Sequence, residues 1–334
     1  MDKKKILLTG GTGYIGSHIA VKLIEDGYNV VLIDNLSNSS IKIPAAIKAI
    51  TGVRVPFYRA DCCDKVIMYE IFKNEKFDAV IHLAGLKAVG ESMEKPKLYH
   101  DNNVGSLETI VACMKEFEVR PIVFSSSATV YGLPEVLPIT EESPVMEATN
   151  PYGQTKIDCE NLLRDELNID TVLLRYFNPI GAHPSGLIGE NPSGVPNNLL
   201  PRIIQVALNR TPYLTVFGND YDTPDGTGIR DYFHIEDLAR GHVLALEKIF
   251  KNSGCLIYNL GSGTGVSVLE LVRSFEEANG IKVKYDFEKR RPGDINTCYA
   301  SIEKAANELN WFPKYSVKDA CRHAWNFVQN NKMK

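Results

Sequence analysis

The sequence has no long hydrophobic run. Its basic start, Lys3 to Lys5, is followed by only three apolar residues, Ile6 to Leu8, before a run of glycines begins. A secretory signal needs roughly 7–15 apolar residues and a membrane-spanning helix about 20. The chain therefore lacks the pattern of an exported or membrane protein, and we expect a cytoplasmic location.

Excess charge of one sign and regularly spaced cysteines are also missing. The formal net charge is -4 and no long basic run occurs, which argues against nucleic acid or an anionic membrane as a partner. The seven cysteines are scattered, and although Cys62 and Cys63 are adjacent, none has a metal-ligand spacing. We expect reduced cytosolic thiols and no metal site.

What the chain does have is length and regular alternation. With 334 residues and 44% hydrophobic content it can bury a large core, more naturally in two lobes than in one. Alternating apolar strands and amphipathic helices predict an α/β fold with a Rossmann-type doubly wound parallel sheet, plus a smaller α/β lobe. Strands are predicted at 5–9, 29–33, 55–60, 79–83, 121–124, 171–175 and 256–261, and helices at 14–26, 65–74, 103–118, 151–167 and 231–250. Two later helices should start with capping boxes, Ser267 with Glu270 and Ser316 with Asp319.

A glycine turn follows the first predicted strand. Gly10 permits a tight turn, Gly13 lets a pyrophosphate approach the backbone, and Gly16 allows close packing of helix and strand. The second strand ends at Asp34, whose carboxylate can accept both hydroxyls of an adenosine ribose and would repel a 2′-phosphate. These residues predict NAD as the cofactor. No Gly-Lys-Ser/Thr follows, which excludes a P-loop, whereas a glycine turn without a ligand remains a weaker alternative.

A second feature lies at Asn150, which with Pro151 opens a predicted helix. Tyr152 and Lys156 are four residues apart and so share one helix face, where an ammonium can favour the anionic form of a phenol. Taken alone, such a pair is more often an ordinary surface pair. A strand at 121–124 runs into three serines, and Ser127 is a candidate proton relay at the end of the sheet where a nicotinamide would bind.

These elements in this order, with the strings at 83–92, 125–132, 174–186 and 226–232, resemble the extended short-chain dehydrogenase/reductase family and, within it, the UDP-glucose 4-epimerases. The resemblance spans residue 5 to about 311. It implies that Tyr152 is the catalytic base, that Lys156 lowers its pKa and holds the nicotinamide ribose, and that Ser127 relays or orients the proton of the sugar 4-hydroxyl. The implied reaction is NAD-dependent C4 epimerisation of UDP-glucose and UDP-galactose through a bound 4-keto sugar and transient NADH.

The same resemblance assigns the binding residues. The cofactor would contact Tyr152, Lys156 and the ends of the first six strands: Gly10, Gly13, Tyr14, Ile15, Gly16, Asp34, Asn35, Asn38, Ser39, Asp61, Cys62, Leu83, Ala84, Gly85, Lys87, Asn102, Ser125 and Tyr176. The UDP-sugar would contact Ser127, Tyr152 and a set drawn mostly from the second half: Lys87, Phe177, Asn178, Asn197, Asn198, Leu199, Thr215, Val216, Phe217, Arg230, Tyr232, Arg291, Asp294 and Cys298. Residues 1–178 would form the NAD-binding domain, 231–261 would return to it, and 179–334 would form the UDP-sugar lobe.

One position departs from the family pattern. In the stretch 291–299, a tyrosine that closes the sugar pocket in some members aligns with Cys298. A smaller side chain there leaves room beside C2 of the sugar, which predicts that UDP-GlcNAc and UDP-GalNAc are also substrates. The alternative is that Cys298 is ordinary buried packing.

Other functions remain open from the sequence. A sugar-nucleotide 4,6-dehydratase shares the fold, the cofactor and the Tyr/Lys pair, but it needs acidic partners after the serine strand, where 127–130 has none. A non-catalytic NAD sensor would have no reason to combine Ser127, Tyr152 and Lys156. The resemblance also suggests a homodimer through the helices at 103–118 and 151–167.

Overall fold

The computed structural model describes residues 3–192, 194, 196–291 and 294–332. Pro292 and Gly293, which fall within the predicted pocket stretch, therefore lie outside the described residues. Among the helices of the described part, none combines the length and the apolar character that a membrane crossing requires.

Seven parallel strands form the main sheet, which confirms the predicted fold class. The described strands are β1 Lys5–Thr9, β2 Asn29–Asp34, β3 Phe57–Arg59, β4 Ala79–His82, β5 Pro121–Ser127, β6 Asp170–Tyr176, β7 Asn178–Ile180, β8 Leu214–Phe217, β9 Ile229–Arg230, β10 Tyr232–His234, β11 Cys255–Leu260, β12 Val266–Ser267, β13 Tyr285–Glu288 and β14 Thr297–Cys298. The main sheet has the order β11-β6-β5-β4-β1-β2-β3. Strands β2 and β3 are added on one side of β1, and β4 and the later strands of this sheet on the other side. This change of side creates a crevice at the carboxyl ends of β1 and β4.

Helices connect these strands. They are α1 Tyr14–Glu25, α2 Ile43–Thr51, α3 Lys65–Glu75, α4 Val89–Glu94, α5 Pro96–Glu116, α6 Pro151–Asp165, α7 Leu199–Ala207, α8 Ile235–Ile249, α9 Val268–Asn279, α10 Glu303–Leu309 and α11 Val317–Lys332, with a 3-10 turn at Ala128–Tyr131. The capping boxes at the starts of α9 and α11 are confirmed, because in each the serine and its acidic partner exchange backbone hydrogen bonds.

Both faces of the sheet are buried, as the alternation along β1 illustrates. Ile6 and Leu8 pack into a core that includes residues of α1 and α8, whereas Leu7 packs into a core with residues of α3, α5 and α6. All three side chains are fully buried. Since neighbouring residues of a strand point to opposite faces, two helical layers are needed to cover an uninterrupted apolar strand.

A third core lies under the second half of the chain. It joins α7, α9 and α11 with β8 and with Ile180 and Tyr232. Three small sheets accompany it: β7 with β10, β8 with β13, and β9 between β12 and β14. This part of the molecule places β8, β9, β14 and the start of α7 beside the main sheet.

Several predicted boundaries were wrong. The helix predicted from 103 begins at Pro96, since proline suits the first turn of a helix. The helix predicted from 231 begins at Ile235, because Tyr232–His234 pairs with β7 as a strand and the His234 side chain caps the helix. Strand β5 continues through Ser127, because β6 pairs with it along its whole length.

Strand β3 is shorter than the predicted 55–60 and covers only Phe57–Arg59, where it pairs with β2 at the edge of the sheet. At the opposite edge β11 pairs with β6, with Leu260 opposite Tyr176. The division of the chain into lobes at residue 178 stays a prediction.

Candidate active site

Most of the predicted cofactor residues follow the carboxyl ends of β1 to β6, whereas Asn102 lies in α5 and Tyr152 and Lys156 lie in α6. The glycine turn follows β1, Asp34 ends β2, Asp61 and Cys62 follow β3, Leu83 to Lys87 follow β4, Ser125 and Ser127 end β5, and Tyr176 ends β6. Since the strands are parallel, these ends lie on one edge of the sheet. The fold thus brings together residues that are separated by more than a hundred positions in the sequence.

The glycine turn has a backbone that only glycine tolerates at two points. Gly10 has φ +65, and a Cβ built on Gly16 would lie 2.2 Å from the Gly10 carbonyl oxygen. Gly13 precedes α1, and no side chain caps this helix. Its first backbone N–H groups are therefore not used by a capping side chain, and together with the helix dipole they suit an anionic group such as a pyrophosphate.

The Asp34 carboxylate is fixed at the end of β2. Its Oδ1 accepts hydrogen bonds from Leu36 N and Ser39 Oγ, both at 2.8 Å, and its Oδ2 accepts one from Thr12 N at 3.2 Å. Nearby, Asp61 accepts a hydrogen bond from the Asn35 side chain at 3.1 Å. Carboxylates held in place at these strand ends suit recognition of ribose hydroxyls.

Tyr152 and Lys156 lie in the first two turns of α6. Asn150 caps this helix by accepting a hydrogen bond from Gly153 N at 2.9 Å, as the sequence predicted. The Lys156 ammonium is buried, donates to the Ser125 carbonyl oxygen at 2.6 Å, and lies 5.8 Å from the centre of the Tyr152 ring. Helix α6 therefore presents the phenol and the ammonium to the serine end of β5.

Burial raises the pKa of Tyr152 to about 12, although a hydrogen bond with Ser127 acts in the opposite direction. Burial also lowers the pKa of Lys156, and the negative charge of Glu160 partly offsets this. In the protein alone the phenol is therefore protonated at neutral pH. Lowering its pKa requires a further positive charge, so the effect predicted for Lys156 stays a prediction.

A buried ion pair holds the serine strand against α6. Glu160 accepts from Arg175 Nε at 2.9 Å, from Arg175 Nη2 at 2.6 Å and from Ser126 Oγ at 2.5 Å. Arg164 adds a fourth bond at 3.2 Å. Burial raises the pKa of Glu160, but the bonds and charge of Arg175 outweigh it and the net shift is downward. This network fixes β5, β6 and α6 relative to one another immediately behind Ser127 and Lys156.

The loop after β4 is held by side chains that sequence reasoning missed. Thr9 Oγ1 accepts from Leu83 N and Ala84 N at 3.1 and 3.2 Å. Asn103 bonds both backbone groups of Leu86, at 2.7 and 3.0 Å, and also the hydroxyl of Thr155 in α6. The predicted neighbour Asn102 is half-buried, and its carbonyl lies 3.6 Å from Cys63 Sγ. No sequence pattern marks Asn103, because its partners are distant in the chain.

Two arginines of the second half meet at one carboxylate. Asp294 accepts from Arg291 at 2.8 and 3.2 Å and lies 3.6 Å from Arg230. Arg230 also donates to the carbonyl oxygen of Ile295 at 2.9 Å, and the guanidinium of Arg291 stacks 5.1 Å from the centre of the Phe217 ring. The arrangement combines two planar cations with an aromatic face, which suits a diphosphate attached to a base.

Cys298 pairs with Arg230 in the small sheet formed by β9 and β14. Its side chain is half-buried, and burial raises the pKa of its thiol to about 11. The thiol is therefore neutral at physiological pH and acts through its size rather than its charge.

Several predicted residues have buried side chains. Tyr176 bonds His242, and Cys62, Val216, Phe177 and Tyr232 are each no more than 7% exposed. A ligand could meet Cys62 or Val216 only at the backbone. Lys87, Asn178, Asn197 and Asn198 are exposed, whereas Tyr14, Ile15, Leu199 and Thr215 are half-buried. The Tyr14 hydroxyl donates to the carbonyl oxygen of Gly181 at 2.8 Å.

The chain is similar to known proteins along its whole length. The family model described as GDP-mannose 4,6 dehydratase matches residues 7–324. A UDP-glucose 4-epimerase of Bacillus subtilis (strain 168) is 52% identical, over 98% of this chain and 97% of the relative.

Two solved structures share the fold. A UDP-glucose 4-epimerase of Bifidobacterium longum in complex with NAD+ and UDP is 46% identical, with a TM-score of 0.95 over 98% of this chain and 99% of the other. A UDP-Glc/GlcNAc 4-epimerase of Campylobacter jejuni is 32% identical, with a TM-score of 0.85 over 98% and 99%. With the glycine turn, the serine strand and the Tyr152/Lys156 helix in place, the chain belongs to the UDP-glucose 4-epimerases of the extended short-chain dehydrogenase/reductase family.

Proposed function

We propose that the protein is an isomerase that interconverts UDP-glucose and UDP-galactose by inverting the sugar at C4. One observation carries this proposal: Tyr152 and Lys156 lie against the Ser125–Ser127 end of β5, in a chain about half identical to a named UDP-glucose 4-epimerase. The glycine turn and Asp34 lie at the same edge of the sheet, where the carboxyl ends of the parallel strands meet.

NAD is the proposed cofactor, and the residues of the crevice fit it. The uncapped start of α1 suits the pyrophosphate, and Asp34 suits the adenosine ribose. Bound there, NAD would supply hydride chemistry at C4 of the sugar without being consumed. The carboxyl ends of β4 and β5, with Lys156, would hold the nicotinamide half.

Tyr152 is the proposed base. Its phenolate would take the proton of the sugar 4-hydroxyl, and Ser127, which is hydrogen-bonded to it, would relay or orient that proton. Because burial raises the pKa of Tyr152 to about 12 despite the Ser127 hydrogen bond, the base works at neutral pH only with extra positive charge beside it. The nicotinamide ring and the nearby Lys156 ammonium would supply that charge.

The nucleotide half of the substrate is proposed to bind on the second half of the chain. Arg230 and Arg291 would share the diphosphate, with Asp294 holding the two guanidinium groups near each other. Phe217 and the backbone of β8 would contact the base. We also propose that residues 1–178, with 231–261, form the NAD-binding domain and that residues 179–334 form the UDP-sugar lobe. Firm contacts to the nucleotide and loose contacts to the sugar would allow the sugar to rotate within the site.

N-acetylated sugars are proposed as additional substrates. Cys298 is small and neutral and lies beside Arg230. A structural neighbour from Campylobacter jejuni is described as acting on both UDP-Glc and UDP-GlcNAc. An acetamido group at C2 needs the volume that a larger side chain at this position would fill.

A second candidate, a 4,6-dehydratase, is favoured by the description of the matching family model. Elimination of water needs an acid and a base beside C5 and C6 of the sugar. The residues that follow Ser127 in the 3-10 turn, Ala128 to Val130, carry no acidic group, so epimerisation is the better proposal.

The deciding experiment is to incubate the purified protein with UDP-galactose, without added NAD, and to follow the sugar nucleotide by chromatography. We expect UDP-glucose to form until the two sugars reach equilibrium. A 4-keto-6-deoxy product would instead identify a dehydratase, and cofactor binding without any conversion would identify an NAD sensor.

The protein is also proposed to form a homodimer through the outer faces of α5 and α6. These helices pack side by side, and Leu98 in the first turn of α5 is 48% exposed. Antiparallel pairing of two such helix pairs would give a four-helix contact. Light scattering during gel filtration should give twice the 37.2 kDa chain mass.

A further inference from the structure

Tyr131 is the last residue of the 3-10 turn that begins directly after Ser127. Its side chain is 1% exposed, and its ring centre lies 4.8 Å from the Arg175 guanidinium. Gly132, the next residue, has φ +58, and a Cβ there would lie 2.8 Å from the Met146 side chain. The chain therefore bends sharply after Tyr131, and close packing holds the turn after Ser127 in place.

The Tyr131 hydroxyl reaches an asparagine of the main sheet. It donates to Asn259 Oδ1 at 2.6 Å, and Asn259 Nδ2 donates to the Ile139 carbonyl oxygen at 3.0 Å. The backbone N–H of Asn259 donates to Glu141 Oε1 at 2.7 Å. Asn259 lies in β11, is fully buried, and is 118 to 128 positions away from these partners. This one residue thus ties the segment 131–141 to the edge of the main sheet.

Ile139 extends the connection to the strand that carries Cys298. Its carbonyl oxygen also accepts from Ser301 N at 2.7 Å, and its own N–H donates to the Tyr299 carbonyl oxygen at 2.9 Å. Both of these residues follow β14, which ends at Cys298. A carbonyl oxygen has two lone pairs, and the bonds from Asn259 and Ser301 use both. A shift of the Asn259 amide would therefore reach the strand of Cys298 through one residue.

The hydrogen bonds allow only one orientation of the Asn259 amide. Its nitrogen faces a backbone carbonyl oxygen, which can only accept, so the amide oxygen must face Tyr131. In the reversed orientation two oxygens would face each other in a buried site, and the Ile139 carbonyl would lose a donor. An ionised aspartate has the same shape but does not suit this position, because it could accept from Tyr131 and could donate nothing to Ile139.

We propose that Asn259 is a positioning residue of the sugar site, which fixes the separation between the turn after Ser127 and the strand of Cys298. This inference rests on the proposed function, because these two segments line one pocket only if a UDP-sugar binds between them. Asn259 acts through the groups that it holds. It keeps the proposed proton relay at a constant distance from the opposite wall of the pocket.

The test compares Asn259→Asp, Tyr131→Phe and the control Tyr258→Phe in the NAD-loaded enzyme. In Asn259→Asp we expect kcat for UDP-galactose to fall at least about tenfold, because small displacements of positioned groups have large effects on rate. Tyr131→Phe leaves the bond to Ile139 intact and loses only the bond from the turn. Its kcat should therefore fall by a smaller factor, about threefold.

The control removes a comparable hydroxyl from the same strand. Tyr258 precedes Asn259 in β11, is fully buried, and donates to Glu308 Oε2 at 2.7 Å. Since neighbouring residues of a strand point to opposite faces, this bond lies away from the segment 131–141. Tyr258→Phe and Tyr131→Phe should have similar melting temperatures, but Tyr258→Phe should keep the wild-type kcat. An equal fall in kcat in both variants would overturn the proposal.

Calorimetric titration with UDP and the NAD content of the purified enzyme are readouts that do not need turnover. In Asn259→Asp both should stay within about twofold of the wild type, because other bonds hold the proposed diphosphate residues Arg230 and Arg291. A loss of UDP affinity or of NAD as large as the loss of kcat would overturn the proposal, since it would indicate a general loss of structure.

The double variant Ser127→Ala/Asn259→Asp tests whether Asn259 acts through the serine. In the Ser127→Ala background, Asn259→Asp should lower kcat less than it does in the wild type, and fully additive effects would overturn the proposal. If Asn259→Asp does not fold, Tyr131→Phe decides, and an unchanged kcat in that variant overturns the role of Asn259. An inactive wild type would overturn the proposed function and this inference together, whereas an active wild type beside an unimpaired Asn259→Asp would overturn the inference alone.

Discussion

The Tyr152 hydroxyl is the group whose removal should affect turnover most selectively. Tyr152→Phe keeps the ring in α6 and loses only the hydroxyl that we propose as the proton acceptor, so we expect normal folding and NAD content. Since positioned proton transfer contributes on the order of 10²–10⁴-fold, kcat for UDP-galactose should fall by about that factor. Tyr69→Phe, at an exposed tyrosine, is the control. Unimpaired turnover in Tyr152→Phe would exclude Tyr152 as the base.

Cys298 allows a prediction about substrate choice. In Cys298→Tyr the larger ring would fill the space that we propose lies beside C2 of the sugar. The ratio of kcat/KM for UDP-GalNAc to that for UDP-galactose should therefore fall at least about tenfold, whereas Cys298→Ser should leave it nearly unchanged. Parallel kinetics with both sugars measure this ratio. If the wild-type enzyme does not convert UDP-GalNAc, or if both variants keep the wild-type ratio of kcat/KM values, other residues close the pocket.

At the residue scale the sequence predicted the grouping of the candidate site residues better than the side chains that hold them in place. Asp34, Ser127, Tyr152 and Lys156 were identified from their positions at strand ends or on a helix face, and the structure brings them to one crevice. Asn103 was missed because its side chain bonds residues of two other elements, 17 and 52 positions away in the chain. Such contacts leave no periodic signal.

Among the elements, β5, β6 and α6 depend on a single buried carboxylate. Glu160→Gln would leave the Arg175 guanidinium, which is 1% exposed, without its charged partner. Removing one member of a buried pair typically costs about 3–5 kcal/mol, so we expect a lower urea midpoint and a lower melting temperature. Arg120→Gln is the matched control: its pair with Asp170 has a 57% exposed arginine and should contribute about 1 kcal/mol or less. Equal losses in the two variants would contradict this.

Element types were predicted more reliably than element boundaries. Strand β1 and the start of α6 matched the prediction, because an apolar run beside glycines and an Asn-Pro cap are strong local signals. The start of α8 was wrong because β10 forms only through pairing with β7, which lies about fifty residues earlier in the chain. Local propensity cannot encode a strand of three residues that exists only because its partner is present.

For the whole molecule, a buried carboxyl between α1 and α8 predicts a pH dependence of stability. Glu236 Oε1 lies 3.8 Å from His18 Nε2, and neither atom has a hydrogen-bond partner among the described residues. Burial, reinforced by the charge of Glu25, raises the pKa of Glu236 from its ordinary 4.5 to about 8. The folded protein therefore retains a proton that the unfolded chain releases, so this stabilisation is complete below pH 4.5 and is lost as the pH rises towards 8.

Glu236→Gln removes this proton linkage and keeps a neutral side chain of the same shape. Relative to the wild type, the variant should gain stability between pH 5 and pH 8, by up to about 1.4 kcal/mol per pH unit. Urea unfolding at several pH values measures the difference. A constant difference between the two proteins across this range would show that Glu236 is charged in the folded state.

The late position of β11 in the chain has a consequence for synthesis. After β6 leaves the ribosome, roughly eighty residues must follow before β11 is available to pair with it, which takes about 4–16 s at ~5–20 residues per second. During that interval the β6 edge of a nearly finished sheet has no neighbour, and an open apolar edge readily pairs with another chain. A nascent chain stalled before residue 255 should therefore recruit chaperones or aggregate, whereas release after residue 260 should allow the edge to close.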